Sequence, residues 1–163
     1  MISNKMAQRL NEQINFEFYS SYAYLAMSAY CQGLGFTGFA NWFAVQAREE
    51  WGHGMKIYNY LYDQDQNVTL LTIKQPQAAF ESVGHAFEET LKHEQQVTAS
   101  INSLITLAVE EKDFATQSFL KWFVDEQVEE ESSVKGVLDK LRLIKDSTPA
   151  LMFLDRELGA RSS

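Results

Sequence analysis

Proline occurs only twice in this chain, at Pro76 and Pro149, and three of the eight glycines are gathered at Gly33, Gly35 and Gly38. Long stretches free of both residues predict a mostly helical protein with few breaks. The glycine cluster separates a first helix, about Asn4 to Gln32, from a second, about Phe39 to Gln66. Asn67 to Ala79 has no helical period and reads as an extended connection. A third helix is expected from about Phe80 to Glu110, and a fourth, with Asp113 as its N-cap, to about Lys145. Thr148 and Pro149 read as the N-cap and first residue of a short fifth helix ending near Leu158.

Lengths then fix the topology. A helix of about 28 residues is roughly 42 Å long, and an extended segment of about 13 residues spans at most about 43 to 47 Å. The connection can just travel the length of a bundle, which makes helices two and three parallel. The tight turns make the other sequential pairs antiparallel. The expected fold class is all-α: a four-helix bundle over about 4–145 with one long crossover, plus a short C-terminal helix over about 149–158, in a single domain 1–163.

The 4-3 spacing also locates the inward seams. They are Leu10, Ile14, Glu17, Ser21, Tyr24 and Ser28 in helix one, and Phe39, Phe43, Gln46, Glu50, His53, Ile57 and Tyr60 in helix two. Helix three gives Phe80, Gly84, Phe87, Leu91, Glu94, Thr98, Ile101 and Ile105; helix four gives Leu120, Phe123, Gln127, Glu130, Val134, Val137, Leu141 and Ile144. Each seam is apolar at its ends and polar or ionisable near its middle, so the polar positions should meet at one height inside the bundle. The hairpins repeat: 50 − 17 and 127 − 94 are both 33, while 53 − 17 and 130 − 94 are both 36. Equivalent polar positions imply a site with approximate two-fold symmetry.

Glu17, Glu50, Glu94 and Glu130, with His53, are expected among Phe16, Phe43, Trp51, Trp122 and Phe123, where unpaired charges would be costly. A salt-bridge explanation needs basic residues on the seams, and there are none. Two divalent cations would balance the four carboxylates, with His53 as a nitrogen donor. Glu50-Trp51-Gly52-His53 places two ligands on one helix face through its i, i+3 spacing, and oxygen-rich ligation with an imidazole suits iron or manganese. Tyr24, seven residues after Glu17, could hydrogen-bond a ligand. Glu49, Glu126 and Glu129 lie one position off the seams and fit a solvated face as well as a ligand role; Glu131 reads as surface. His85 and His93 fall off the seams and read as solvated, and Cys31 as a packing residue.

Composition narrows the function. With 22 acidic against 14 basic residues the formal charge is −8, which argues against phosphate-driven binding of nucleic acid and for cationic partners. A single cysteine, Cys31, cannot form an internal disulfide or a CxxC pair and suits a reducing cytoplasm. Met1 to Gln13 lacks the apolar run of a signal peptide. Phe18 to Ala47 carries no formal charge, but Ser20, Ser21, Ser28, Gln32, Asn41 and the glycines argue against a membrane span.

Taken with their spacing, Glu17, Tyr24, Glu49, Glu50, His53, Glu94, Glu126, Gln127, Glu129 and Glu130 resemble the metal-site pattern of the bacterial non-haem ferritins over nearly the whole chain. The resemblance implies a di-iron ferroxidase centre, with Glu17, Glu50 and His53 around one iron, Glu50, Glu94 and Glu130 around the other, and Gln127 beside the second. It implies a third iron site at Glu49, Glu126, Glu129 and Glu130. It further implies a hollow homo-oligomeric shell, of 24 subunits, in which iron oxidised by dioxygen or hydrogen peroxide is stored as ferric oxyhydroxide. Bacterioferritin carries a second Glu-x-x-His motif and a haem-ligating methionine after the bridging glutamate; here the equivalents are Gln127-x-x-Glu130 and Trp51, so no haem is expected. Two other readings are a rubrerythrin-like peroxidase, whose cysteine-ligated iron domain one cysteine cannot build, and a helical interaction protein with a purely structural cluster.

Overall fold

The computed structural model describes residues 2–145 and 147–162. Five helices follow one another: α1 (Asn4–Gly33), α2 (Thr37–Asp63), α3 (Val83–Glu110), α4 (Phe114–Ile144) and α5 (Thr148–Leu158). Side-chain caps set three starts: Ser3 accepts from the Met6 amide, Ser82 from His85 and Asp113 from Thr116, each at 3.0 Å. The Ser82 cap is why α3 starts at Val83 rather than Phe80. Gly35, at φ +85°, makes the tight turn between α1 and α2. Helix α2 ends at Asp63, short of Gln66, where Asp65 turns to φ 55°. The N-cap of α5 is Ser147 rather than Thr148; Pro149 still lies in the first turn, where its missing N–H has no helical acceptor.

Hydrogen bonds between helices give their directions. Ser21 and Ser28 donate to the carbonyls of Ala47 and Ala40 at 2.6 and 2.8 Å, so α1 and α2 are antiparallel. Ser20 meets His93 while Gln13 meets Ser100, making α1 antiparallel to α3. Gln46 meets Glu130 while Tyr60 meets Thr116, making α2 antiparallel to α4. Helices α2 and α3 are therefore parallel and residues 64–82 form the crossover, held partway by Asn11, which accepts from the Thr69 amide at 2.6 Å.

Two apolar clusters fill the bundle. One contains Met6, Leu10, Ile14, Ile57, Leu61, Ile101 and Leu120; the other contains Met27, Phe39, Phe43, Phe87, Val134 and Leu138. Between them lies the polar layer. The expected seams of α2 and most of α4 are buried, but the α3 stripe is displaced: Val83, Ala86, Thr90, Val97 and Leu104 are buried, while Phe80, Gly84, Leu91, Thr98 and Ile105 are only half-buried. The expected residues Phe87, Glu94 and Ile101 are buried as well, so the stripe keeps its heptad repeat and differs by a constant single residue, Val83, Thr90, Val97 and Leu104 standing in for Gly84, Leu91, Thr98 and Ile105.

Helix α5 carries an apolar stripe, and its Leu154 and Leu158 are buried against this chain's own bundle with Leu151 packed beside them. Asp155 accepts from the Phe39 amide at 2.8 Å and so caps the start of α2 from α5. Gly38 permits that contact, since a Cβ there would overlap the Asp155 carbonyl. Met152 and Phe153, 63% and 72% exposed, are left without cover from the chain.

Candidate metal centre

Glu17 comes from α1, Glu50 and His53 from α2, Glu94 from α3, and Gln127 and Glu130 from α4, and all are buried in the layer between the two apolar clusters. No lysine or arginine among the described residues is buried, so no cation of the protein balances these carboxylates within the core. One ligand atom each of Glu17, Glu50 and His53 lies within 4.8 Å of the others, and a second grouping of the same tightness joins His53, Glu126 and Glu130. The first is the set expected for one metal ion. The second differs from the expected Glu50, Glu94 and Glu130 set: Glu94 stands outside it, with its Oε1 accepting from the Tyr24 hydroxyl and its Oε2 from Gln127 Nε2 at 3.1 Å.

Electrostatics show what the layer lacks. Burial, then the charge of Glu50, pushes the Glu17 carboxyl well above the usual range. Burial raises Glu50 too, followed by repulsion from Glu94 and Glu130. Burial also raises Glu94, and burial with the charge of Glu94 pushes Glu130 up to about 7. These shifts mark carboxylates crowded without a counter-ion. Glu17 Oε2 is buried and has no hydrogen-bond partner, an acceptor left over in a site whose other donors are already used. A divalent cation meets both needs: it supplies positive charge and takes the vacant oxygen.

Gln13 Nε2 donates to Glu17 Oε1 at 2.7 Å, and Gln46 Nε2 donates to Glu50 Oε1 at 2.8 Å and to Glu130 Oε2 at 2.6 Å. Neither amide was assigned a role from the sequence. The signal was there: each stands four residues before a glutamate ligand, and 46 − 13 is again 33.

The walls differ from expectation in part. The His53 ring meets Trp122 and Phe123 edge-on, at centroid distances of 5.3 and 6.2 Å. Trp51, in contrast, is half exposed and stacks on Phe18, and Phe16 packs on His93. Gly54 lets the Phe18 ring close on α2, where a Cβ would stand 2.6 Å from it. His93 is not solvated: its Nε2 lies 2.7 Å from Ser20 Oγ, and burial pushes its pKa down to about 4. Glu126 is half-buried and Glu129 exposed, while Glu49 is half-buried and close enough to Glu130 to raise its pKa. Glu131 accepts from Thr98 and Lys135 at 2.9 and 2.8 Å. Cys31 is buried in the second apolar cluster with its thiol pushed up to about 12. No helix among the described residues is long and apolar enough to cross a membrane.

Comparison with known proteins gives a consistent result. The ferritin-like domain family matches residues 7–144. A bacterial non-heme ferritin of Staphylococcus aureus (strain USA300) is 43% identical over 162 residues, covering 99% of this chain and 98% of its own. A Staphylococcus epidermidis relative of the same name is 44% identical over the same length and coverage. Among solved structures, the open pore ferritin of the hyperthermophilic archaeon Archaeoglobus fulgidus superposes with a TM-score of 0.98 at 45% identity, covering 99% of this chain and 100% of that one.

Proposed function

We propose, from the premise that this chain belongs to the ferritin-like family, that it stores iron by oxidising ferrous ions at the buried carboxylate layer and retaining the ferric product in a shell of its own copies. The observation that carries this reading is the Glu17, Glu50 and His53 grouping with its vacant Glu17 oxygen, set among four carboxylates without an internal counter-ion. Iron here is substrate, not a resident cofactor, and no haem is part of the proposal.

Glu17, Glu50 and His53 hold one ferrous ion, and Glu50, Glu94 and Glu130 the second. Oxygen ligands favour the ferric over the ferrous state, so the electron each iron loses becomes easier to remove. Two ferrous ions together supply the two electrons that reduce dioxygen to peroxide, or hydrogen peroxide to water. Gln13, Gln46, Gln127 and Tyr24 aim the ligand oxygens through hydrogen bonds. Glu49, Glu126, Glu129 and Glu130 form a third cation site, supported by the closeness of Glu126 to His53 and Glu130 and of Glu49 to Glu130. A homo-oligomer of 24 subunits in the cytoplasm is the assembly proposed, with Met152 and Phe153 the uncovered surface on α5 that it would bury. Neither nucleic acid nor membrane is a proposed partner.

The test is stopped-flow oxidation of ferrous iron added at two ions per chain. Glu50→Ala and His53→Ala are expected to lose the fast phase while keeping helix content, because removing a ligand from a repulsive cluster costs the metal-free bundle little. Parental rates in both variants would overturn the assignment.

A further inference from the structure

Beyond the end of α5 the chain returns to α2 through Gly159, whose carbonyl accepts from Asn41 Nδ2 at 3.4 Å, and through Arg161. Its backbone carbonyl accepts from Asn41 Nδ2 at 2.8 Å, and its guanidinium lies over the Trp42 ring, 4.6 Å from the centroid. Nη1 donates to Gln46 Oε1 at 3.0 Å, and Nη2 pairs with Glu49 Oε2. Trp42, Gln46 and Glu49 stand at i, i+4 and i+7 of α2, so one face of that helix forms a cradle for this side chain.

The cradle is joined to the metal centre by one amide. Because Arg161 occupies the Gln46 oxygen, the Gln46 NH2 group is left to face the carboxylates, where it donates to Glu50 and Glu130. The opposite orientation would aim a carbonyl oxygen at two carboxylates. Arg161 therefore fixes a bond pattern at the core from outside it, and it places a permanent positive charge on Glu49.

We propose that Arg161 is a latch on the third cation site: its guanidinium holds Glu49 and Gln46 in the metal-free protein and is displaced when a metal ion takes Glu49. The latch rests on Glu49 being a ligand of that third cation. Guanidinium and metal draw on the same carboxylate, and an ion that takes Glu49 Oε2 displaces the Arg161 Nη2 that now holds it. Departure of the guanidinium frees the Gln46 oxygen and removes the side-chain anchor of the tail, leaving the Asn41 bonds to its backbone. Occupancy of the site is thereby tied to both the paired centre and the C-terminal segment, with Arg161 acting as a positioning residue.

The experiment is a calorimetric titration of the metal-free, assembled protein with Zn2+, which is not oxidised, on the parent and on Arg161→Gln, Arg161→Lys and Glu49→Ala. The third equivalent is expected to bind about fivefold more tightly in Arg161→Gln, the factor set by a partly exposed ion pair. Arg161→Lys, which keeps the charge, is expected to return to parental affinity, as a merely structural tail anchor would not require. Anomalous diffraction from zinc-soaked parental crystals should show the ion on Glu49 and the guanidinium moved away. Zinc on Glu49 with the Arg161 pair intact overturns the latch, as does parental affinity in Arg161→Gln when Glu49→Ala has lost the third equivalent. Retention of all three equivalents in Glu49→Ala overturns the third-site reading itself, and the latch with it.

Discussion

Replacing Glu130 with glutamine separates what the carboxylate layer does for metal from what it does to the fold. Glu130 is 5% exposed, and its carboxyl is pushed from its ordinary value of 4.5 up to about 7, by burial and then by the charge of Glu94. Between those two values the folded chain holds a proton that the unfolded chain has released. Stability is therefore lost as pH rises from 4.5 through 7, and stays lost above. A shift of that size corresponds to about 3 kcal/mol at pH 8 and less than about 1 kcal/mol at pH 5, as a ceiling, since the repulsion is shared among coupled groups. Glutamine carries no charge at either pH, and its amide oxygen can still accept the bond that Gln46 now gives at 2.6 Å. Metal-free Glu130→Gln is thus expected to melt higher than the parent at pH 8, by up to about 6 to 12 °C, with the gap nearly closed at pH 5. Added Zn2+ should reverse the order at pH 8, because the parent gains a ligand oxygen with full charge. Chelator-treated thermal melts at both pH values check this. A variant that melts no higher than the parent at pH 8, or a gap that does not shrink at pH 5, would refute the reasoning.

Tyr24→Phe leaves a buried Glu94 oxygen without its donor and is expected to cost the metal-free protein about 2 kcal/mol; zinc should restore most of it by taking that oxygen, and melts in which zinc recovers nothing would count against a ligand role for Glu94. Gly38→Ala sets a methyl group against the Asp155 carbonyl and should detach α5, releasing the Asp155 cap on Phe39. Gel filtration should then show smaller assemblies while the first addition of ferrous iron is still oxidised; a full-sized shell would mean that α5 docking does not govern assembly.

The sequence made the fold legible because each helix carries a long inward stripe bounded by strong stops. The crossover could be deduced from the reach of residues 67–79 alone, and hydrogen bonds such as Gln46 to Glu130 and Tyr60 to Thr116 bear out the resulting directions. The polar centre was legible for the same reason. Polar residues on a core-facing seam are rare enough to stand out, and the spacing of 33 repeats them in both hairpins. What escaped has a common physical cause: a heptad pattern reports which face a residue occupies, not which partner satisfies it. His93 sits off the seam of α3, and the packing of Phe16, Tyr19 and Tyr24 around it, followed by the charge of Lys74, makes its neutral form the folded one.

The ligand-orienting amides and the tail belong to the same class. Gln46 was visible as a seam residue, but its role depends on which way its amide is turned, and that is set jointly by Glu50 and Glu130 on its NH2 group and by Arg161, 115 residues away, on its oxygen. The apolar stripe of α5 could be read as needing cover, yet the cover comes from the chain's own α2 because Gly38 has no side chain to obstruct the Asp155 carbonyl. Packing of α5 in turn brings Arg161 within reach of Gln46 and Glu49. A glycine at the start of α2 thus supports, through one docked helix and one guanidinium, the orientation of the amide that Glu50 and Glu130 share.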